Sequence, residues 1–485
     1  MSFFLGIDLG TSYFKAGVFD ETGRLAGLGR QRVNYVTGAG NRCELPVPGF
    51  WTILHQCVGE ALREAVVSPE EIAAFSFSSQ ANSFILLDRF DKALTPFISW
   101  TDSRADPLPP ALTKLTERTD FLNKTGLGLR PGKHSLIAKT DWFQKNESSI
   151  WEKVKTILSM PDYLTYKLTG EKVSDISTSS LTGLLDVQEG KWWSEATNLF
   201  NIKTDQLSTI FRTGTRVGHL TGKGAELTGL SPHTLLFTGG LDHHMVAIGA
   251  GVPCMNTLSE STGTVLACVG YREGYDPREG VNTAPGLDDN HFFNMTFDDN
   301  GALALEWYQK KFAPQSTIQK LLKQAEMVEP GSCGLIALPC SHEFPGLSGF
   351  KQVTKDHQHA HFVRAILEST AASLAGLARK LDENNPYQAV VPSGGGAKSK
   401  LWIRIKSGML NKPFLIPESG ELACKGAALM CAVGMSVYKS VQEAMDNQIH
   451  FRETTLPRPD EVKQYEKWFN QVKKAKIMSN LGMPN

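Results

Sequence analysis

The sequence is short of cysteine, of net charge and of long apolar runs. Its 485 residues include eight cysteines, which are scattered without a C-x-x-C pair. This usage argues against a disulfide-stapled secreted fold and favours a reducing compartment. Lysine plus arginine and aspartate plus glutamate number 50 each. That balance removes the electrostatic argument for nucleic acid or an anionic membrane as a partner.

Targeting and membrane-spanning signals are missing too. The first residues have no basic segment before their apolar positions and turn polar at Asp8, which is not the pattern of a signal peptide. The longest charge-free apolar stretch near the C-terminus, residues 426–438, is too short to cross a bilayer. We therefore expect a cytoplasmic protein with no membrane and no nucleic-acid partner.

Two common nucleotide-binding signatures are absent as well. The chain has no G-x-x-x-x-G-K-[ST], which excludes a P-loop enzyme, and no G-x-G-x-x-G that opens a Rossmann unit. The length predicts at least two domains, each able to bury its own core.

The first strongly patterned segment lies at the N-terminus. The apolar residues at 3, 5, 7 and 9 alternate with Phe4, Gly6 and Asp8, a small polar turn follows at residues 10–12, and residues 14–19 have the pattern of a second strand. The pattern predicts a β-hairpin whose turn exposes N–H groups and hydroxyls suited to a phosphate. Asp8 lies beside that turn, in a place suited to a hydrated Mg²⁺. An ordinary hairpin without a ligand is the alternative for this segment alone.

The same design recurs at residues 258–269, where apolar positions flank a second Gly-Thr turn, Gly263 and Thr264. Two such hairpins about half a chain apart indicate two related domains facing one polyphosphate, with the second domain beginning near residue 252.

Polar loops follow several predicted strands. Strands at residues 72–79 and 84–88 flank S-S-Q-A-N-S, and a strand at 96–100 runs into T-D-S-R. In α/β domains such loops hold ligand groups, so Gln80, Asn82, Asp102 and Arg104 are candidates. Simple solvation of these side chains is the alternative.

Asp242 is a further candidate. A buried-type strand from residue 235 stops at Gly239 and Gly240, and an apolar helix at residues 245–249 follows. The carboxylate thus lies near a helix N-terminus, where the helix dipole favours it, although an N-cap role explains it equally well. We interpret the histidines at 243 and 244, and those of D-H-Q-H-A-H at 356–361, as ordinary neighbours and not as metal ligands.

The remaining pattern is mostly helical. We predict helices at residues 52–66, 136–145, 151–158, 160–170, 301–312, 361–382 and 421–433, within a mainly helical block at 111–215, and a polar surface helix after residue 459. A short strand at 388–391 leads into P-S-G-G-G-A-K-S and another helix, an arrangement that lets a nucleotide approach the backbone.

Taken in order, these motifs resemble the FGGY carbohydrate kinases over nearly the whole chain. The likeness rests on G-I-D-L-G-T (6–11), I-S-W-T-D-S-R (98–104), Y-L-T-Y-K-L-T-G (163–170), G-G-L-D (239–242), S-T-G-T (261–264), H-F-V-R-A-I-L-E (361–368) and G-G-G-A-K-S (394–399). The resemblance implies an α/β fold of two actin-like, ribonuclease-H-like ATPase domains with a cleft between them. Residues 1–251 would form the N-terminal domain with the sugar side and the catalytic base, and residues 252–485 the C-terminal domain with the nucleotide side and a C-terminal helix.

The resemblance also implies an activity, the ATP- and Mg²⁺-dependent phosphorylation of a hydroxyl of a sugar or polyol, with a ketose favoured by the family. It makes Asp242 the catalytic base and Asp8 the metal residue, acting through water. The implied ATP contacts are Gly10, Thr11, Ser12, Lys15, Gly263, Thr264, Gly395, Gly396 and Ser399. The implied substrate contacts are Gln80, Ala81, Asn82, Asp102 and Arg104.

Two departures leave the substrate open. Xylulose kinases have Met-His and glycerol kinases Arg-Glu where this chain has Ala81 and Asn82, and the family's G-E-R-x-P segment is altered to S-H-E-F-P-G-L-S-G at residues 341–349. A chaperone-like ATPase and a non-catalytic sugar sensor are the alternative functions. A homodimer is an open alternative to a monomer.

Overall fold

The computed structural model describes residues 2–263, 265–338, 340–341, 344–347, 349–382 and 386–474, with the backbone alone at 340, 341, 344–347 and 471–474. The described chain divides into two compact units. The first unit contains Met1–Cys254, Tyr271–Asn294 and Glu421–Ile449, and the second contains Met255–Gly270, Met295–Gly420 and His450–Asn485.

The helices vary widely in length. They are α1 (Val47–Ala65), α2 (Pro110–Thr116), α3 (Phe121–Thr125), α4 (Leu136–Asn146), α5 (Ser148–Trp151), α6 (Met160–Thr169), α7 (Ile176–Ser179), α8 (Ser194–Leu199), α9 (Gly222–Thr228), α10 (Asp242–Gly249), α11 (Leu303–Phe312), α12 (Ile318–Ala325), α13 (His359–Asp382), α14 (Lys400–Leu410), α15 (Leu422–Gly434), α16 (Val441–Gln448) and α17 (Pro459–Lys474). No helix among the described residues is both long enough and apolar enough to cross a membrane.

The strands are mostly short. They are β1 (Phe3–Leu9), β2 (Tyr13–Phe19), β3 (Leu25–Arg32), β4 (Val36–Gly38), β5 (Arg42–Leu45), β6 (Ile72–Ser79), β7 (Phe84–Leu87), β8 (Phe97–Ile98), β9 (Thr156–Ser159), β10 (Val173–Asp175), β11 (Leu185–Asp186), β12 (Lys191–Trp192), β13 (Thr209–Phe211), β14 (Arg216–His219), β15 (Leu235–Phe237), β16 (Gly240–Leu241), β17 (Thr257–Thr262), β18 (Leu266–Glu273), β19 (Asn282–Pro285), β20 (His291–Asp298), β21 (Ile336–Ala337), β22 (Cys340–Ser341), β23 (Phe344–Leu347), β24 (Phe350–Lys351), β25 (Ala389–Ser393), β26 (Phe414–Pro417) and β27 (Phe451–Thr455).

The first unit is built on a mixed sheet with the order β14-β15-β6-β1-β2-β3, in which β16 also pairs with β6. β1 and β2 form the predicted antiparallel hairpin, and β6 runs parallel to β1 on its other side. Both faces of β1 are buried, so the face opposite Leu5, Ile7 and Leu9 also carries an apolar residue, Phe4. Other strands from the first half of the chain form a smaller sheet with the order β4-β5-β8-β7-β9.

The second unit repeats this arrangement. β17 and β18 form an antiparallel hairpin, β25 runs parallel to β17, and the sheet continues through β26 and β27. Because parallel strands end at the same edge, the turn after β17 and the glycine loop after β25 lie at one edge of this sheet.

Helix α15 packs closely within the first unit although it lies far along the sequence. A Cβ atom on Gly6 of β1 would stand 1.8 Å from the carbonyl oxygen of Cys424 in α15. A Cβ atom on Gly426 of α15 would stand 2.1 Å from the carbonyl oxygen of Met245 in α10. Glycine at both positions therefore lets α15 contact the backbone of the N-terminal hairpin and of α10 directly.

Most predicted elements are confirmed, with some displaced ends. Both hairpins, the long helix before residue 382 and the strand–glycine loop–helix segment are present. The predicted helix at 151–158 is wrong, because α5 ends at Trp151 and Thr156–Ser159 is strand β9, whose backbone pairs with β7. The terminal helix α17 is more than a surface element, since Tyr465 and Trp468 are buried in the second unit's core.

The compact units differ from the predicted division at residue 252. The first unit does end its first segment at Cys254, but it also takes in residues 271–294 and 421–449. Contacts such as that of Gly6 with α15 explain the difference, because they tie a late helix to the first sheet.

Candidate active site

Three parallel strands of the first unit place the two predicted acids at one sheet edge. In the parallel pairing of β1 with β6, Asp8 is opposite Ser78, and the Ser78 hydroxyl donates to Asp8 Oδ1 at 3.1 Å. On the other side of β6, Gly240 is also opposite Ser78. Asp242 follows two residues later, so Asp8 and Asp242 flank the end of β6. Their charges interact, and Asp242 contributes to raising the pKa of Asp8.

Asp8 is a buried carboxyl group whose negative charge is only partly balanced by its neighbours. Burial raises the pKa of Asp8 to about 6, although the Lys15 ammonium opposes this effect. Lys15 is directly opposite Asp8 across the hairpin, with 3.8 Å between Nζ and Asp8 Oδ2. A second carboxylate, Glu421, accepts a hydrogen bond from Lys15 Nζ at 2.7 Å. Burial alone would lower the pKa of Lys15, but Asp8 and Glu421 outweigh it and raise that pKa above its ordinary value.

The first turn is joined to the loop that follows β8. Thr11 Oγ1 accepts a hydrogen bond of 2.7 Å from the indole Nε1 of Trp100, and it lies 3.4 Å from Gln80 Oε1. Ser83 bridges the same loops, because its hydroxyl donates to Gln80 Oε1 and accepts from the Trp100 N–H. Gly10 and Thr11 are half-buried and Ser12 is exposed. The predicted phosphate turn is thus bonded to the predicted sugar-side loops.

Asp242 is the first residue of α10, which begins three residues before the predicted helix at 245–249. Its Oδ1 accepts the N–H of His243 at 2.8 Å, and the side chain is partly exposed. The helix start is fixed from behind by Ser177, whose hydroxyl accepts the Leu241 N–H at 3.0 Å and bonds to His244 Nδ1 at 2.8 Å. Burial lowers the pKa of His244 to about 3, so its ring is neutral and serves as a packing and hydrogen-bonding group.

The polar groups of the loop at residues 80–82 form hydrogen bonds with other parts of the protein. The Gln80 amide donates to the Leu9 carbonyl at 3.2 Å, and the residue is buried, as is Ala81. Asn82 Oδ1 accepts the Leu136 N–H at 2.9 Å, and its amide donates to a carbonyl at 3.3 Å. Asn82 adopts a left-handed backbone conformation with φ of 61°, which asparagine tolerates better than most residues.

A buried lysine, which the sequence analysis did not single out, supports the same loops. Lys139 of α4 is fully buried and donates to the carbonyls of Asn82 at 3.0 Å and Ser99 at 2.7 Å. Burial lowers the pKa of Lys139 to about 7. One side chain therefore joins the loop after β6 to the loop after β8.

Asp102 and Arg104 form an ion pair inside the first unit. Asp102 is fully buried, and its Oδ2 accepts from Arg104 at 2.8 Å and from the Cys43 N–H at 2.7 Å. Arg104 also pairs with Glu44 at 2.5 Å. Burial alone would raise the pKa of Asp102, but these hydrogen bonds more than offset it and hold the pKa below its ordinary value. Both residues are therefore bonded to other residues of the first unit. Their contact with a substrate stays a prediction.

The second unit brings its predicted nucleotide residues together. The glycine loop after β25 lies against the turn after β17, since a Cβ atom on Gly396 would stand 2.7 Å from Thr262 Cβ. Gly263 is half-buried, and Gly395 faces open space. The Ser399 hydroxyl caps α14 by accepting the Trp402 N–H at 3.2 Å. Thr264 lies outside the described residues.

A buried ion pair supports this turn from within the second unit. Lys406 Nζ bonds to Glu260 Oε1 at 2.7 Å and to Thr262 Oγ1 at 2.6 Å, and both charged side chains are fully buried. Burial lowers the pKa of Lys406, against the opposing charge of Glu260. The pair fixes the end of β17 against α14.

Asp8 is the residue predicted to hold a metal ion through water. Among the residues that the structure describes, no group of three or more His, Cys, Asp or Glu side chains could hold an ion directly. A single buried carboxylate such as Asp8 fits the way proteins bind Mg²⁺, which keeps several waters and takes one or two carboxylates.

Comparisons with known proteins show the family. Residues 3–249 match the N-terminal domain of the FGGY family of carbohydrate kinases, and residues 317–435 match its C-terminal domain. The chain is 27% identical to a xylulose kinase of Lactococcus lactis over 96% of this chain and 95% of that protein. It is 26% identical to a gluconokinase of Bacillus subtilis over 96% of this chain and 93% of that protein.

A solved structure gives the same result for the fold. The ligand-bound xylulose kinase from Lactobacillus acidophilus matches with a TM-score of 0.88 and 21% identity, over 99% of each chain. The fold is therefore the two-domain actin-like, ribonuclease-H-like ATPase fold predicted from the sequence. The chain belongs to the FGGY family of carbohydrate kinases and is a phosphotransferase with an alcohol group as acceptor.

Proposed function

We propose that this kinase transfers the γ-phosphoryl group of ATP to a hydroxyl of a sugar or polyol, with Asp242 as the general base. Transfer to an alcohol requires that the phosphates be held, that their charge be neutralised and that the hydroxyl proton be accepted. The observation that supports the proposal is the strand register, in which Asp8 is opposite Ser78 on one side of β6 and Gly240, two residues before Asp242, is opposite Ser78 on the other side, with Lys15 opposite Asp8.

The phosphates are assigned to the first turn and to Lys15. A turn of small residues offers backbone N–H groups to an anion, and the Lys15 ammonium adds a positive charge next to it. The Thr11 hydroxyl already accepts from Trp100, so its part is to fix the shape of the turn while the backbone of Gly10, Thr11 and Ser12 faces the anion. Gly263, Thr264, Gly395, Gly396 and Ser399 stay the predicted nucleotide contacts of the second unit.

Asp8 is assigned to Mg²⁺ through water. Its carboxylate is buried, accepts one hydroxyl donor from Ser78 and has its charge only partly balanced by Lys15. When bound, the ion supplies charge neutralisation at the transferring phosphates. Asp8 and Ser78 supply a fixed acceptor for its hydration shell, and the second oxygen of Asp8 keeps Lys15 nearby.

Asp242 is assigned to the acceptor hydroxyl. It stands at the start of α10 with Oδ1 on the His243 N–H, which leaves Oδ2 to accept the proton of the attacking alcohol. General-base assistance of this kind contributes about 10²- to 10⁴-fold. Alignment of the reacting atoms and neutralisation of the phosphate charge must supply the rest of the acceleration.

The substrate side is assigned to the loops at residues 80–82 and 100–104. The polar groups of Gln80, Asn82 and Asp102 contact other groups of the protein. We therefore propose that these residues and Arg104 shape the acceptor site by holding the two loops in place. Ala81 lies in the first of these loops. Xylulose kinase and gluconokinase are similar to this chain by nearly the same identity. A ketose is our expected substrate, and a sugar acid is the next class to test.

The direct experiment measures ADP production with ATP and Mg²⁺ against a panel of ketoses, aldoses, deoxy sugars, sugar acids and polyols. We expect one acceptor class to raise ADP production far above the rate without acceptor, and we expect this rise to vanish in Asp242→Asn. ADP release at full rate without any acceptor would contradict the proposal. The same panel with Mg²⁺ replaced by excess chelator tests the metal.

A further inference from the structure

Lys15 is close to two carboxylates that come from opposite ends of the chain. Cross-strand pairing puts Asp8 Oδ2 at 3.8 Å from Lys15 Nζ, and Glu421 Oε2 lies 2.7 Å from the same nitrogen. The side chains of Lys15 and Glu421 are 26% and 24% exposed. The Lys15 ammonium is therefore paired with carboxylates of the protein, and its side chain is still partly open to solvent.

The position of Glu421 beside Lys15 is set by helix α15, which packs closely on its neighbours. It immediately precedes α15, whose Cys424 is fully buried and whose carbonyl lies directly against Gly6 of β1. The other face of α15 packs on α10, which begins with Asp242. The position of Glu421 is thus tied to the same hairpin that carries Asp8 and Lys15.

A lysine side chain gains from such support. Its ammonium stands on four rotatable carbons and has three N–H donors. A free lysine has to be ordered when an anion binds, and that ordering reduces affinity. Glu421 occupies one donor and orders the chain in advance, which leaves the remaining donors for phosphate oxygens.

We propose that Glu421 is a positioning residue for nucleotide binding, which holds the Lys15 ammonium at the first phosphate turn. The inference rests on the proposed role of Lys15 as a phosphate contact. Glu421 itself does not touch the nucleotide in this account and acts only through Lys15.

The test is a double-mutant cycle of Glu421→Gln and Lys15→Met in the full-length protein, with the dissociation constant for ATP measured by calorimetry. Glu421→Gln keeps the size of the side chain at a partly exposed site, and Glu421→Ala provides the same test if the amide variant does not fold. Glu117→Gln is the control, because Glu117 is an exposed glutamate of the first unit.

We expect Glu421→Gln to weaken ATP binding about tenfold, as loss of a charge-assisted contact predicts, and Lys15→Met to weaken it at least as much. Adding Glu421→Gln to Lys15→Met should change nothing further, because a residue that acts through Lys15 has no effect without it. A purely structural role for Glu421 would instead persist in the Lys15→Met background.

Two results would overturn the inference alone. One is unchanged or tighter ATP binding in Glu421→Gln, which would mean that the carboxylate is idle or competes with phosphate for Lys15. The other is an undiminished effect of Glu421→Gln in the Lys15→Met background. Unchanged ATP binding in Lys15→Met itself would overturn the assignment of Lys15 under the proposed function, and the inference with it.

Discussion

The indole nitrogen of Trp100 donates a hydrogen bond of 2.7 Å to the hydroxyl of Thr11. Trp100 follows the short strand β8 of the smaller sheet, and Thr11 lies in the turn between β1 and β2. This bond is a direct link between the predicted acceptor side and the predicted phosphate side of the first unit. It gives the sugar-side loop a physical means to influence how the phosphate turn is held.

Trp100→Phe should therefore weaken ATP use without unfolding the protein. A single hydrogen bond is worth about 0.5–1.5 kcal/mol, so we expect KM for ATP to rise about two- to tenfold. Steady-state kinetics at saturating acceptor measure the change. Trp192→Phe is the matched control, since its indole donates to the Ser208 carbonyl away from Thr11. Equal KM values in wild type and Trp100→Phe would contradict a coupling through this bond.

Gly426→Ala should disturb helix α10, which begins with the proposed base Asp242. The added methyl group would stand 2.1 Å from the Met245 carbonyl oxygen, so α10 and α15 would have to move apart. Overpacking of this kind costs about 1–3 kcal/mol of stability, and we expect kcat to fall because Asp242 begins α10. Thermal unfolding and kcat are measured together. Gly222→Ala, at a site with open space around the added methyl group, should change neither.

Lys139→Met should make stability less dependent on pH above neutrality. The folded pKa of Lys139 is about 7 against an ordinary value of 10.5. Between these values the unfolded chain binds a proton that the folded chain does not, so wild-type stability gains about 1.4 kcal/mol per pH unit from this group as pH rises. In Lys139→Met that gain is absent, and the two carbonyls that Lys139 contacts lose their donor.

Urea unfolding of both proteins at several pH values between about 7 and 10 checks this expectation. The advantage of wild type should grow with pH. Lys145→Met, at an exposed lysine of the same helix, should show no such trend. A constant difference between wild type and Lys139→Met would mean that the buried amine is charged throughout the range.

Lys406→Met should strongly destabilise the second unit. It would leave the fully buried Glu260 carboxylate without its partner, and breaking a buried pair on one side costs about 3–5 kcal/mol. Glu260→Gln with Lys406→Met should cost much less than the two single changes added together. Denaturant unfolding measures all three variants. Lys400→Met, at the exposed Lys400–Glu453 pair, should cost less than about 1 kcal/mol.

Local pattern was enough to predict the two hairpins, because strand alternation and small turn residues are properties of adjacent residues. It was misleading at residues 156–159, where Ile157 and Leu158 are apolar in a way that suits a helix or a buried strand equally well. These residues form a strand because their backbone pairs with β7, which lies some seventy residues earlier in the chain. The sequence alone contains no sign of that pairing.

The residues of the candidate site also differ in whether adjacent sequence is enough to predict them. The positions of Asp8, Thr11 and Asp242 at strand ends could be predicted from adjacent residues, whereas their roles stay predictions. Glu421 could not, since it is 406 residues from Lys15 and nothing near it in the sequence indicates an ion pair. The predicted substrate role of Asp102 rested on its loop position, whereas its buried bonds to Arg104 and Cys43 depend on tertiary packing.

Turnover and nucleotide affinity of Asp242→Asn, measured on the same preparation with the acceptor found in the panel, test the central claim most directly. Loss of the proton acceptor should lower kcat by about 10²- to 10⁴-fold. The dissociation constant for ATP should stay within about twofold of wild type, because Asp242 serves the acceptor and not the nucleotide. Retention of most of the wild-type turnover would show that another group accepts the proton and would contradict the account.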